Sequence, residues 1–253
     1  PRLDADIEAR SRSGEGGLSN LGVLSANIKG SIPVGRGRVG VTVQPIVVDA
    51  GSINRSASAR FGRNATAEAL AIVAQVPTVL APVESQYASG VVIGASYEDE
   101  NFQIDAGTTP LGFQRLDGQG GFLWRPRVGA HGNIRVFAER RPVTDSVLSY
   151  AGAVDPVSGQ KWGSVMRTGG GFGMSWDRDG TGLYGDIAYR FYAGQGVPKN
   201  NALEMNLGAY RRLYSGDHLN ATLGLAMNYQ SFDENLSYFT FGHGGYFSPQ
   251  SFV

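Results

Sequence analysis

Residues 219–230 read LNATLGLAMNYQ. Successive side chains of an extended strand point to opposite faces, so Leu219, Ala221, Leu223, Leu225, Met227 and Tyr229 share one side, and Asn220, Thr222, Asn228 and Gln230 share the other. The apolar side runs for about 11 residues, within the span a tilted strand needs to cross a bilayer. The stretch predicts a strand with one greasy face and one wet face.

The same period recurs along the chain. Leu3, Ala5, Ile7 and Ala9 alternate with Asp4, Asp6, Glu8 and Arg10. Val39, Val41 and Val43 alternate with Arg38, Thr42 and Gln44, and Val91, Ile93, Ala95 and Tyr97 oppose Ser96 and Glu98. Further on, Leu183, Ile187, Tyr189 and Phe191 oppose Tyr184, Asp186 and Arg190, while Leu203, Met205, Leu207 and Ala209 oppose Glu204, Asn206, Tyr210 and Arg212. In this way the sequence predicts about eleven complete strands and the start of a twelfth at 248–253.

A soluble sandwich would show the same alternation, so period alone does not decide between the two architectures. Connection lengths do. Turns rich in Gly, Asn or Asp fall near 33–37, 98–101, 130–133, 177–182 and 215–218, and longer connections near 49–86, 107–120, 142–163, 194–200 and 231–247. Short and long alternate, with a brief hairpin at 13–17 as the exception. Tight turns at one edge and long loops at the other are the habit of outer-membrane barrels. The expected fold is therefore an all-β antiparallel transmembrane β-barrel forming one domain over residues 1–253. Thr66–Gln75 inside the longest loop reads as a helix, capped by Asn64 or Thr66.

Composition agrees. Charged residues make up 17% of the chain, glycine is abundant at 37 residues, and net charge is zero, so no basic patch argues for nucleic acid. Absence of cysteine removes disulfides, thiolate metal sites and a cysteine nucleophile. The longest apolar stretch, 69–83, is interrupted by Gln75, Pro77 and Pro82 and is too short for a membrane helix. Because single-chain bacterial barrels close with an even strand number, the natural product is expected to extend past Val253, and because Pro1 is preceded by no methionine or leader it is expected to begin earlier as well.

Chemistry-bearing motifs are few. His131, His218 and His243 show no metal-ligand spacing, and no GxSxG elbow occurs. GGGFG at 169–173 lacks the GK[ST] ending of a phosphate loop and reads as glycines on a strand. Asp177 and Asp179 before Gly180 lack the remaining ligands of a calcium loop, which leaves a hairpin turn. No catalytic residue, metal or cofactor is expected. The carboxylates Asp4, Asp6 and Glu8, with Arg10, Arg38, Arg135, Arg167, Asp186, Arg190, Glu204, Tyr210 and Arg212, read as the wall of a wet lumen, since such charges are not buried dry and unpaired. Tyr238, Phe239, Phe241, His243, Tyr246 and Phe247, in a glycine-rich loop, read as an extracellular gate.

Five loop-rich stretches carry a resemblance: RSGEGGLS at 12–19, GTTPLGF at 107–113, ERRPVTDSVLSYAG at 139–152, DPVSGQKWGSVMRTGG at 155–170 and FTFGHGGYFSPQSF at 239–252. In these the chain resembles the C-terminal barrel domain of the outer-membrane subunit of bacterial cellulose synthase. The resemblance implies a sixteen-stranded barrel in the bacterial outer membrane, behind a periplasmic run of tetratricopeptide-type helical repeats. It also implies export of nascent β-1,4-glucan made by the inner-membrane synthase complex. This sequence departs from the pattern by lacking the repeats and the last strands, so contact with the synthase falls on no residue here. Expected partners are the cellulose chain and outer-membrane lipid. A balanced lumen suits a neutral sugar polymer. The alternatives are a general diffusion porin, or an outer-membrane hydrolase using Asp4, Asp6 and Glu8, for which paired carboxylates would be the chemistry.

Overall fold

A computed structural model describes residues 1–83, 85–216 and 219–234. In chain order the elements are β1 (Arg2–Arg12), β2 (Leu21–Val34), β3 (Gly37–Asp49), α1 (Arg55–Ala59), α2 (Asn64–Ala74), β4 (Tyr87–Glu98), β5 (Phe102–Thr108), β6 (Gly118–Trp124), β7 (Arg127–Val128), β8 (Gly132–Pro142), α3 (Val147–Tyr150), β9 (Ala153–Val154), β10 (Lys161–Arg178), β11 (Thr181–Gln195), β12 (Asn200–Ser215) and β13 (Asn220–Phe232). The protein is all-β. Among the described residues eleven long strands meander in chain order through one antiparallel sheet from β1 to β13, with the two-residue pieces β7 and β9 pairing β8 and β10.

Eleven is also the number of complete strands the period predicts. The start of a twelfth, at 248–253, lies outside the described residues. Among the described residues no helix is long and apolar enough to cross a membrane.

Register fixes the faces. Ile28 pairs Val43, Val43 pairs Ile93, and Leu207 pairs both Gly185 and Met227, so apolar side chains meet apolar ones across the sheet. That face is open: Ile7 is 78% exposed, Leu225 78%, and Leu24, Val41, Ile93, Phe172, Leu183, Ile187, Phe191 and Leu207 are exposed as well. A continuous aliphatic surface of this extent is foreign to a monomer in water.

Connections differ by edge. At one edge they are 35–36, 99–101, 125–131, 179–180 and 216–219; at the other they are 13–20, 50–86, 109–117, 143–160 and 196–199, the last of which the sequence predicts to be long and is only four residues, shorter than 125–131. The hairpin expected at 13–17 is longer than its sequence suggests, because β2 starts only at Leu21. The helix expected at Thr66–Gln75 is α2, Asn64–Ala74, and its cap is neither Asn64 nor Thr66. The N-cap is Arg63, which makes no side-chain cap bond. Asn64 is the first helical residue and fully buried; its side chain donates to the Ser58 and Ala81 carbonyls and accepts from the Ala81 N–H, tying the loop together.

Candidate functional site

Opposite the aliphatic face lies an ionic one, and its centre is a ladder of charges over β5, β6, β8, β10, β11 and β12. Arg141 grips Asp105 through two hydrogen bonds, Nη1 to Oδ2 at 2.6 Å and Nη2 to Oδ1 at 2.7 Å. Next, Glu139 accepts from Arg190 Nη1 at 2.8 Å and from Arg167 Nη2 at 3.3 Å. On its far side Arg190 donates from Nε to Glu204 at 3.3 Å, and Gln230 and Tyr192 also donate to Glu204. Three cations face three carboxylates, so the ladder carries no net sign, and each charge has its counter-ion.

Glycine makes the ladder possible. Gly169 on β10 pairs Glu139 on one side and Arg190 on the other, and a β-carbon there would stand 3.0 Å from Arg190 Cδ. The GGGFG stretch thus places Gly169, Gly171 and Gly173 on the ionic face, where neighbouring long side chains lie down over them. Phe137 occupies the space above Gly171, and the Arg135 and Arg190 guanidinium carbons sit 4.6 and 5.0 Å from its ring centre.

The twelve residues expected at a lumen wall fall in four places. Arg167, Arg190 and Glu204 belong to the ladder, with Arg135 stacked beside it. Asp186, which accepts from Asn206 at 2.9 Å, and Tyr210, which donates to Asp177, lie on the same face further toward the tight-turn edge. Arg212 adjoins the register shift of β12 and lies against Gly180. Asp4, Asp6, Glu8 and Arg10 lie on β1, the first strand in the sheet order. There Asp4 pairs with Arg2 at 2.8 Å, Asp6 accepts from Asn27 at 3.1 Å, and Arg10 donates to the Thr144 carbonyl at 2.7 Å. Arg38 donates to Ser31. Of the residues missing from the expectation, Glu139 and Arg141 are legible in RVFAER at 135–140 and its sequel, where Arg135, Phe137, Glu139 and Arg141 share one parity, and Asp105 shares the parity of Gln103 in FQID at 102–105.

At the long-loop edge this face turns apolar. Ile46, Val48, Val23 and Ala88 continue the parity of Gln44 and Ser25, and α3 with its neighbour Ala151 packs onto them, joined by Leu21 and Phe113. The connection between β8 and β10 therefore reaches across to β2 and β3, covering the ionic face from above. α3 starts in a capping box, Ser146 and Ser149 exchanging side-chain and backbone hydrogen bonds. Burial pushes the Tyr150 phenol up to about 12, against the field of Arg10.

A second cluster joins Leu18, Ala57, Phe61, Leu148, Ala153 and Trp162, with the Phe61 ring edge-on to Trp162 at 5.8 Å. It is locked by Asp155, whose carboxylate accepts from the backbone N–H groups of Arg63 at 2.7 Å, Val157 at 2.9 Å and Ser158 at 2.8 Å. Burial raises the Asp155 pKa, but these N–H bonds outweigh it and hold the carboxyl below its ordinary value. Four connections thus knit into one cap. The aromatic residues expected to form a gate, Tyr238, Phe239, Phe241, His243, Tyr246 and Phe247, lie outside the described residues. So does His218, and among the described residues no group of three His, Asp or Glu side chains forms a metal site.

A single antiparallel meander with one aliphatic face, one ion-paired face and folded loops along one edge defines the class: an all-β protein whose surface is greasy where a soluble sheet would be wet. Within that class, the chain belongs to the family described as cellulose synthase operon protein C C-terminus, which it matches over residues 19–253. It is 36% identical over 250 residues to the cellulose synthase operon protein C of Pseudomonas fluorescens SBW25, covering 97% of this chain and 18% of that protein. It is 40% identical over 169 residues to that of Xanthomonas axonopodis pv. citri, covering 67% of this chain and 11% of the relative. It is 31% identical over 258 residues to the cellulose synthase 2 operon protein C of Komagataeibacter xylinus, covering the whole chain and 19% of the relative. The chain spans a fifth or less of these proteins.

Proposed function

We propose that this chain is the outer-membrane channel segment of a cellulose-exporting assembly. The sheet curls around its ionic face as barrel wall, the aliphatic face meets lipid, and the ionic face bounds a water-filled passage for nascent β-1,4-glucan. The observation that carries the reading is the division of the sheet: exposed aliphatic side chains on one face and a neutralised charge ladder on the other. In a soluble sandwich the aliphatic face would be covered. A passage walled by paired charges presents no net field, which suits a neutral polymer. The cap at the long-loop edge fits the exit, and it favours a guarded exporter over an open diffusion porin. Asp4 is paired with Arg2 and Asp6 accepts from Asn27, contacts of a solvated wall that favour a channel over a hydrolase.

The test is genetic and biochemical. Removing the segment from the intact protein should abolish cellulose at the cell surface while synthase activity in isolated inner membranes stays unchanged. Normal secretion without it would overturn the reading.

A further inference from the structure

Aromatic rings break the run of polar side chains on the ionic face, and three of them lie against a glycine of a neighbouring strand. Phe137 on β8 covers Gly171 on β10, Tyr184 on β11 covers Gly208 on β12, and Tyr210 on β12 covers Gly182 on β11. The last two are reciprocal, since Tyr184 pairs Gly208 and Gly182 pairs Tyr210 in the register. At both, a β-carbon on the glycine would collide with the tyrosine ring itself. A ring pressed onto backbone has one side against the wall and the other turned to whatever the wall encloses.

The three differ in what that second side meets. Phe137 is 8% exposed, with two guanidinium groups stacked on it, so nothing else reaches it. Tyr184 is 42% exposed, and Tyr210 is half-buried. Their backbones are offset by two residues along the sheet, about 7 Å, and by one strand spacing, about 5 Å. One pleat beyond Tyr184 stands the Asp186–Asn206 pair, and Asp177 holds the Tyr210 hydroxyl. Flat apolar surface beside carboxylate and amide groups is the chemistry that recognises a pyranose. Its C–H face packs on an aromatic ring, and its hydroxyls seek acceptors and donors at the rim. A β-linked glucan, with hydroxyls around its ring edge, fits both.

The geometry points to Tyr184 and Tyr210 as a stacking subsite for the β-glucan near the tight-turn mouth, with Asp186 and Asn206 as hydroxyl partners. The assignment rests on the ionic face being the wall of a glucan passage. It makes these two rings the specificity-determining contacts of the wall, while the charge ladder above them is a structural brace.

The test uses the intact protein in detergent and cellohexaose as probe, with maltohexaose as the α-linked control. Tyr184→Ala and Tyr210→Ala should each weaken cellohexaose binding by about three- to tenfold, and Tyr184→Phe and Tyr210→Phe should retain it, because the ring and not the hydroxyl does the stacking. In parallel, 3-fluorotyrosine in the wild-type protein should show cellohexaose-dependent 19F shifts at positions 184 and 210 and none at Tyr189 on the aliphatic face, a readout that needs no folded alanine variant. Equal affinity in the alanine variants, or unmoved resonances at 184 and 210, would overturn the subsite. Failure of the export reading is seen separately, as cellulose secretion that persists without the segment.

Discussion

Arg190 and Glu139 meet at 2.8 Å although a whole strand lies between them. Glu139 belongs to β8 and Arg190 to β11, and the residue of β10 that pairs both is Gly169. With its side chain only 7% exposed, Arg190 is buried among its counter-ions, and the absent side chain of Gly169 is what lets the contact form.

Arg190→Ala therefore leaves Glu139 and Glu204 short of a shared cation in a confined place. We expect a loss of about 3–5 kcal/mol in urea unfolding of the detergent-folded protein. A loss below about 1 kcal/mol, typical of exposed pairs, would show the ladder to be loosely hydrated.

Gly169→Ala acts from the other direction. The methyl group meets the Tyr189 carbonyl and the Arg190 side chain, so about 1–3 kcal/mol of stability should go through overpacking alone. Combined with Arg190→Ala the two effects should be less than additive, since both remove the same contact.

The cap has its own handle. Phe61 is fully buried edge-on against Trp162, and Phe61→Ala should cost the cap about 3–5 kcal/mol. In planar bilayers the variant should conduct more than wild type while its strands stay folded. Unchanged conductance would mean that the cap does not close the passage.

Asp155 makes the cap acid-sensitive. Its folded pKa lies below the ordinary 3.8, so its contribution is fully present above that value and is lost as pH falls from there toward the folded pKa. Pepsin should begin to cut the 50–86 connection only as pH falls below about 3.8, and Asp155→Asn should be cut already above it. Equal resistance in the two proteins across this range would remove Asp155 as the lock.

Much of this was legible in the sequence because a strand's period is two and its faces differ. LNATLGLAMNYQ, the Asp4 to Arg10 alternation and GLYGDIAYRF at 182–191 declare their faces residue by residue. Partnership across strands was not legible. Nothing local tells Glu139 that Arg190 lies beyond Gly169, since register between distant strands follows from the pairing of the intervening one. The cap was hidden for a related reason. PIVV at 45–48 breaks the alternation because Ile46 and Val48, on the inward side, are buried under the cap while Pro45 and Val47 continue the aliphatic face, but the sequence does not say that α3, a hundred residues away, is the cover. Asn64 shows the limit of capping rules: a good cap residue was used to pin Ala81 instead.

The central claim is that the aliphatic face meets lipid and the ionic face meets water. A charge placed at Leu207, midway along β12 on the aliphatic face, should cost about 2–4 kcal/mol as Leu207→Arg in lipid, whereas Asn206→Lys, one residue away beside Asp186, should cost little. The most direct measurement uses nitroxide labels at positions 207 and 206 of the intact protein in lipid vesicles, read against oxygen and a water-soluble nickel complex. The account predicts that the label at 207 collides with oxygen and is shielded from nickel, and that the label at 206 shows the reverse. Nickel access at 207 equal to that at 206 would contradict it.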